Sequence, residues 1–178
     1  RLHSIRTMNQ VVITGVGVVS SIGNGIEEFW NSLKDGKSGI TAVTRFEAGD
    51  IASQVASEVT EFNPEDFMDP KEVRRNDRYT HLALAASRHA LADANLSRDT
   101  LVPERTGVLV GSGIGGMETI EKQMTTLIER GPRRVSPFMI PSLIANIAGG
   151  VIAIDLGAQG PNFSVVSACA SGSHAIGE

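Results

Sequence analysis

Cysteine is almost missing from this chain: Cys169 is the only one in 178 residues. A single thiol excludes an internal disulfide and any multi-cysteine metal site. The four histidines are scattered, with no pair at ligand spacing, so no metal centre is predicted. No apolar run approaches the roughly 20 residues needed to span a bilayer, and no membrane partner is predicted. A positive charge excess is also lacking. The formal net charge is −4, which argues against nucleic acid as a ligand, because phosphates need an electropositive surface. Aromatics make up only 4% of the chain, against 19 glycines. That balance describes a compact α/β protein with many tight turns and close backbone approaches.

The length suits one domain of about 100–200 residues. Residues 1–9 carry no apolar signal-peptide core and read as a cloning remnant or a frayed start. Residues 10–19, with Val11, Val12, Ile13, Val16, Val18 and Val19, read as a buried strand of a sheet covered on both faces. A helix is predicted over 23–34, with Ile26, Phe29, Trp30 and Leu33 at helical spacing. A short strand is expected near 54–59. The clearest helix covers 71–95, with Leu82, Ala86, Ala90 and Leu91 on its inner side. Further elements are a strand over 106–110, a helix over 117–130, a helix over 141–154 and a strand over 163–167. Strand and helix alternate, so the predicted class is α/β with a mixed, mainly parallel sheet. The chain ends inside what reads as the second turn of a helix, without a stop signal, and is therefore expected to be a fragment.

Gly111, Gly113 and Gly116 fit G-x-G-x-x-G between a strand and a helix. A dinucleotide site also needs an acidic residue about 20 positions further on, closing the next strand. That distance falls near Ser136-Pro137, with neither strand nor acid, so the glycines are assigned to close backbone contacts. Cys169 is the stronger candidate. It lies between an apolar strand and a helix start, flanked by Ala168, Ala170, Ser171, Gly172 and Ser173. Small residues suit a sharp strand-to-helix turn that exposes a nucleophile, and a helix amino terminus favours the thiolate. A buried structural cysteine is the competing reading. His174 lies five positions along the same helix, roughly 140° around its axis, and so is not its partner. Lys71, Arg74, Arg75 and Arg78 are spaced to share one helix face, and Arg130, Arg133 and Arg134 form a second cluster. Docking of an acidic partner and a solvated face balanced by Glu72 and Asp77 are the two readings of these patches.

These residues together resemble the β-ketoacyl-acyl carrier protein synthases, closest to the type II elongating condensing enzyme. The opening run Val11-Val12-Ile13-Thr14-Gly15-Val16-Gly17 matches in order with Gly111-Ser112-Gly113-Ile114-Gly115-Gly116, the 131–138 segment, Gly160-Pro161-Asn162-Phe163-Ser164 and Ser167-Ala168-Cys169-Ala170-Ser171-Gly172. The resemblance implies a thiolase-like fold, with residues 10–178 as its amino-terminal half. It implies that Cys169 accepts an acyl group, that Ile114 lines the acyl pocket, and that Lys71, Arg74, Arg75, Arg133 and Arg134 contact acyl carrier protein. No cofactor is implied, since substrates ride on the phosphopantetheine arm of the carrier. A homodimer is implied, in the bacterial cytoplasm or, as the second choice, the plastid stroma. The family's catalytic histidines and lysine belong to the other half, and no position here stands for them. One departure is Ala170-Ser171 where the family often has Ala-Thr or Thr-Ser, a small-for-small change. A polyketide-type ketosynthase and a non-catalytic chain-length partner are the alternatives. Polyketide enzymes usually carry Cys-Ser-Ser-Ser, and chain-length partners typically lack the cysteine.

Overall fold

A computed structural model describes residues 10–178; the expected start over 1–9 lies outside the described residues. The chain opens as an extended segment that reaches β1 (Val19–Ser20), which pairs antiparallel with β2 (Gly23–Asn24). Helix α1 (Ile26–Lys34) follows. A second antiparallel ladder joins β3 (Ile40–Ala42) to β4 (Val55–Ser57), where the short strand was expected.

The strand predicted over 10–19 forms only at Val19, and the segment 10–18 stays outside any strand. Among the described residues no strand pairs with it, and Val11 is 92% exposed. A strand needs a ladder for its backbone groups, and this segment instead crosses a helix, α3 (Arg78–Asp93). A Cβ on Gly15 would come within 2.2 Å of the Ala90 carbonyl oxygen, and one on Gly17 within 1.9 Å of that of Ala86. The backbone lies so close that only glycine fits. Asp93 accepts the Val16 N–H at 2.9 Å and ties the crossing down.

The long helix expected over 71–95 is two helices. The first, α2 (Pro70–Val73), is capped by Asp69 and ends at Arg74. Asp77 then caps α3, its side chain accepting the Tyr79 N–H. A residue of this kind offers the backbone an alternative to continuing a helix, which is why the chain breaks there. The buried face of α3 is Thr80, His81, Leu84 and Ala85. It differs from the predicted inner side, because Ala86 and Ala90 face the 15–17 crossing instead.

Strand β5 (Val108–Gly111) leads through a glycine loop to helix α4 (Met117–Arg130). The helix predicted over 141–154 is also divided, into α5 (Met139–Leu143) and α6 (Ile147–Leu156), because Ile144 takes an extended ψ of 138°. Strand β6 (Asn162–Val165) pairs parallel with β5, Val108 opposite Asn162 and Gly111 opposite Val165. The chain closes with α7 (Ser171–Gly177).

The core lies where α3 and α6 meet this parallel pair. Leu84, Val108, Ile152 and Ala153 are buried together, and each large side chain contributes about 1.5–3 kcal/mol. Ala85 and Ala148 are fully covered, so α3 and α6 approach closely. Arg88 and Asp155 clamp the two helices through two hydrogen bonds of 3.1 and 2.6 Å. No helix among the described residues is long and apolar enough to cross a membrane.

Candidate active site

Cys169 sits one turn beyond the carboxyl end of β6, on a tight bend formed by Ala168–Ala170 and continued by α7. Ala168 adopts a left-handed φ of +50°, a conformation that costs a residue with a Cβ roughly 1–3 kcal/mol. Alanine carries the smallest Cβ that can be forced there. The bend is held by Ser171, a buried residue. Its hydroxyl accepts the Ser167 N–H at 2.9 Å and donates to the Ala168 carbonyl at 2.7 Å. Either Ser or Thr can supply that hydroxyl, so the Ala170-Ser171 departure preserves the turn. The thiol is exposed at the tip, and the buried-cysteine reading falls.

The glycine loop after β5 is packed against this bend. A Cβ at Gly111 would lie 2.2 Å from the Ser171 carbonyl oxygen, and one at Gly113 would lie 3.6 Å from the Ala168 Cα. The Ser112 N–H donates to the Val165 carbonyl at 3.3 Å, and Ser112 Oγ accepts the Gly115 N–H at 3.0 Å. The loop therefore presents Ile114, 60% exposed, beside the elbow. The close backbone contacts assigned to these glycines are thus made within the chain itself.

No hydrogen bond joins a histidine to Cys169 among the described residues. His174 Nδ1 bonds the Ser167 hydroxyl at 2.6 Å, in keeping with its predicted exclusion. His81 is buried, with Nε2 at 3.1 Å from the Val73 carbonyl, and burial holds its pKa below the ordinary value. His89 stands edge-on to Phe67, with ring centres 5.4 Å apart.

The basic residues do not share one helix face as predicted, since the chain breaks between them. Lys71 is on α2, and Arg74 is its last, capping residue. Arg75 bonds Glu72 at 3.2 Å and lies over the Phe138 ring at 5.1 Å. Arg78 turns inward, donating to the Val59 carbonyl and covering Phe62 at 5.6 Å; burial lowers its pKa from the ordinary value. Arg133 and Arg134 are exposed on a single turn, Pro132–Arg134. The contact between Arg75 and Phe138 brings the 71–75 and 131–138 segments together. Lys71, Arg74, Arg133 and Arg134 have no carboxylate partner among the described residues. A cavity of about 560 Å³ lies beneath these segments, lined by Arg74, Arg78, Lys122 and Phe138 among others, with no part of Cys169 in its wall.

The solvated-face reading of the basic stripe places Asp77 in solvent. That residue is instead only 6% exposed, and its Oδ2 accepts both the N–H and the hydroxyl of Thr119, each at 2.7 Å. The Asn76-Asp77 pair ahead of an apolar stretch is a helix-start signal that the sequence does contain; its second partner, on α4, has no local signature.

Against known families, the β-ketoacyl synthase N-terminal domain model matches residues 8–178. The chain belongs to the β-ketoacyl synthase family. It is 48% identical over 169 residues to the 3-oxoacyl-[acyl-carrier-protein] synthase 2 of Synechocystis sp., covering 95% of this chain and 41% of that protein. The Staphylococcus aureus protein of the same name is 47% identical over the same shares. The chain thus spans about two fifths of the length of these curated relatives. Among solved structures, the ishigamide ketosynthase/chain length factor matches with a TM-score of 0.84 at 32% identity, over 92% of this chain and 41% of that one. A β-ketoacyl synthase from Burkholderia phymatum matches with a TM-score of 0.79 at 29% identity, over 96% and 42%. The fold is therefore that of the amino-terminal half of a thiolase-like ketosynthase, and Cys169 sits at this synthase domain's strand-to-helix bend.

Proposed function

We propose that this chain supplies the nucleophile-bearing half of a 3-oxoacyl-[acyl-carrier-protein] synthase that elongates fatty acids. One observation carries the reading: the only thiol stands exposed on a strained turn at the carboxyl edge of the parallel strands. The 48% identity to a synthase of that name supports it.

In this reading the Cys169 thiolate attacks the thioester carbonyl of an acyl chain carried on phosphopantetheine. The carbonyl becomes an oxyanion, for which the Cys169 N–H is one donor. The bond to the pantetheine sulfur then breaks, that sulfur leaves and takes up a proton, and the acyl group remains on Cys169. Malonyl carrier protein next loses carbon dioxide, and the electron pair so freed attacks the acyl-cysteine carbonyl. Cys169 leaves as thiolate, and the product is a 3-oxoacyl chain two carbons longer. Decarboxylation provides the carbanion, so the chemistry needs no cofactor. The histidines and lysine that promote it belong, by the family resemblance, to the other half.

Ile114, beside the elbow and open to solvent, is assigned to the wall of the acyl pocket. Lys71, Arg74, Arg75, Arg133 and Arg134, on adjoining segments, are assigned to the acidic surface of the carrier protein. The exposed apolar residues Val11, Ile13, Val166 and Ile176 are assigned to the rest of the synthase and to a second copy of it, since apolar surface on this scale marks polypeptide contacts. The bacterial relatives support a bacterial cytoplasmic setting.

Intact mass spectrometry tests the reading. The complete protein, incubated with long-chain acyl carrier protein, gains one acyl group, and Cys169→Ala gains none. A stable acyl thioester on the alanine variant would remove Cys169 from its role. The ishigamide neighbour favours a polyketide-type ketosynthase as the second reading. Supplied only with malonyl carrier protein, an elongating synthase adds one two-carbon unit to its primer, whereas a polyketide enzyme adds several.

A further inference from the structure

We propose that Asp77 is a positioning residue, whose carboxylate holds the basic segment and the loop beside Cys169 in one fixed register. This rests on the condensing-enzyme reading and names how that site is kept in order.

The carboxylate is buried, and none of the ion pairs among the described residues involves it. Two helix starts neutralise it instead. Oδ1 accepts the Tyr79 N–H at 3.3 Å in the first turn of α3. Oδ2 accepts the N–H and hydroxyl of Thr119 in the first turn of α4. Each helix start carries partial positive charge and unpaired N–H donors, so one anion between two of them is stabilised twice. Gly116 makes room for this: a Cβ there would lie 2.9 Å from Asp77 Oδ2.

Three further bonds converge on the same node. Tyr79 donates its hydroxyl to the Ile144 carbonyl at 2.5 Å. Ser142 donates to the Arg75 carbonyl at 2.6 Å, and the Gly116 N–H donates to the Leu143 carbonyl at 2.8 Å. The segment bearing Arg74 and Arg75 is thereby joined to the end of the glycine loop. The other end of that loop rests on the elbow through Gly111 and Gly113. Asp77 touches neither the thiol nor the elbow and acts through the loop.

Three variants of the complete protein test this. In Asp77→Asn a single carbonyl oxygen replaces two acceptors, and its amide N–H₂ faces an N–H donor. In Thr119→Val the shape is kept and only the hydroxyl bond to Asp77 is lost; Thr119→Ser keeps that bond. In single-turnover acylation, Asp77→Asn and Thr119→Val are expected to lower the maximal rate roughly tenfold, as a displaced reacting group does. The KM for a small acyl thioester stays at the wild-type value, and Thr119→Ser restores the rate. A Thr119→Val protein that acylates at the wild-type rate would overturn the proposal, as would a loss that serine does not restore. If Asp77→Asn fails to fold, the valine and serine pair decides alone.

Should the wild-type protein form no acyl-cysteine, the condensing-enzyme reading fails, and alkylation of Cys169 by iodoacetamide decides the positioning. An alkylation rate altered in Thr119→Val and restored in Thr119→Ser supports the role of Asp77. Equal rates in all three proteins refute it.

Discussion

Replacing Gly111 with alanine would drive a methyl group into the elbow that holds the thiol. The new Cβ would lie 2.2 Å from the Ser171 carbonyl oxygen and 2.8 Å from the Gly172 nitrogen. Both are backbone atoms at the start of α7, so neither can swing aside as the tip of a side chain does. To reach ordinary contact, β5 and the bend must separate by about an ångström, the scale on which core overpacking costs about 1–3 kcal/mol. The upper end applies, because the hydroxyl bonds of Ser171 hold the bend to a left-handed Ala168. For a chain of this size that is a fall in Tm of roughly 10 °C. A displacement of that order at a nucleophile also slows reaction by roughly a hundredfold. Two other glycines calibrate the effect. Gly113→Ala meets Ala168 at 3.6 Å, an ordinary contact, and should change Tm by no more than about 2 °C. Gly150→Ala, in α6 with nothing within 4 Å, should stabilise the fold by up to about 1 kcal/mol. Thermal unfolding combined with single-turnover acylation of Cys169 reads all three. If Gly111→Ala melts and reacts like wild type, or if Gly113→Ala is equally damaging, the packing argument is wrong.

Two other outcomes are expected. Reversing charge at Arg74 and Arg75 should raise the KM for carrier-bound substrates far more than for small thioesters, and equal effects would make the segment an ordinary solvated surface. Burial keeps the His81 pKa below its ordinary 6.5, so the unfolded chain takes up a proton that the folded chain resists. The resulting stability is present above about pH 6.5 and is lost as pH falls through the folded-state value. His81→Gln should therefore flatten that part of the acid limb in denaturant titrations run from pH 7.5 to 5.5, and an unchanged slope would refute the assignment.

Elements whose signals are local were legible in the sequence. Helix α4 runs between a glycine loop and Gly131-Pro132, β5 is a short apolar run that stops at Gly111, and β6 leads into the small residues of the elbow. The elbow announced itself through Ala168, Ala170 and Gly172 around one thiol. Features set by distant partners were not legible. Asp77 marks the break locally as a helix cap, but its bonds to Thr119 have no local mark, and helical spacing continues smoothly across the break, so periodicity alone joins α2 to α3. The β-branched run over 10–18 has every local mark of a strand, yet Gly15 and Gly17 fit it to the back of α3. The division between α5 and α6 follows from the extended Ile144, whose carbonyl meets Tyr79, again a partner remote in sequence. Lys71, Arg74, Arg75, Arg133 and Arg134 are exposed, but Arg78 turns inward to the Val59 carbonyl, and the meeting of the 71–75 and 131–138 segments is shown by the Arg75 contact with Phe138.

Strands β5 and β6 pair only with each other among the described residues, with Phe163 and Val166 open to solvent nearby. An uncovered ladder of that kind templates further strands. A solution of this chain by itself should therefore be prone to clump on concentration or warming.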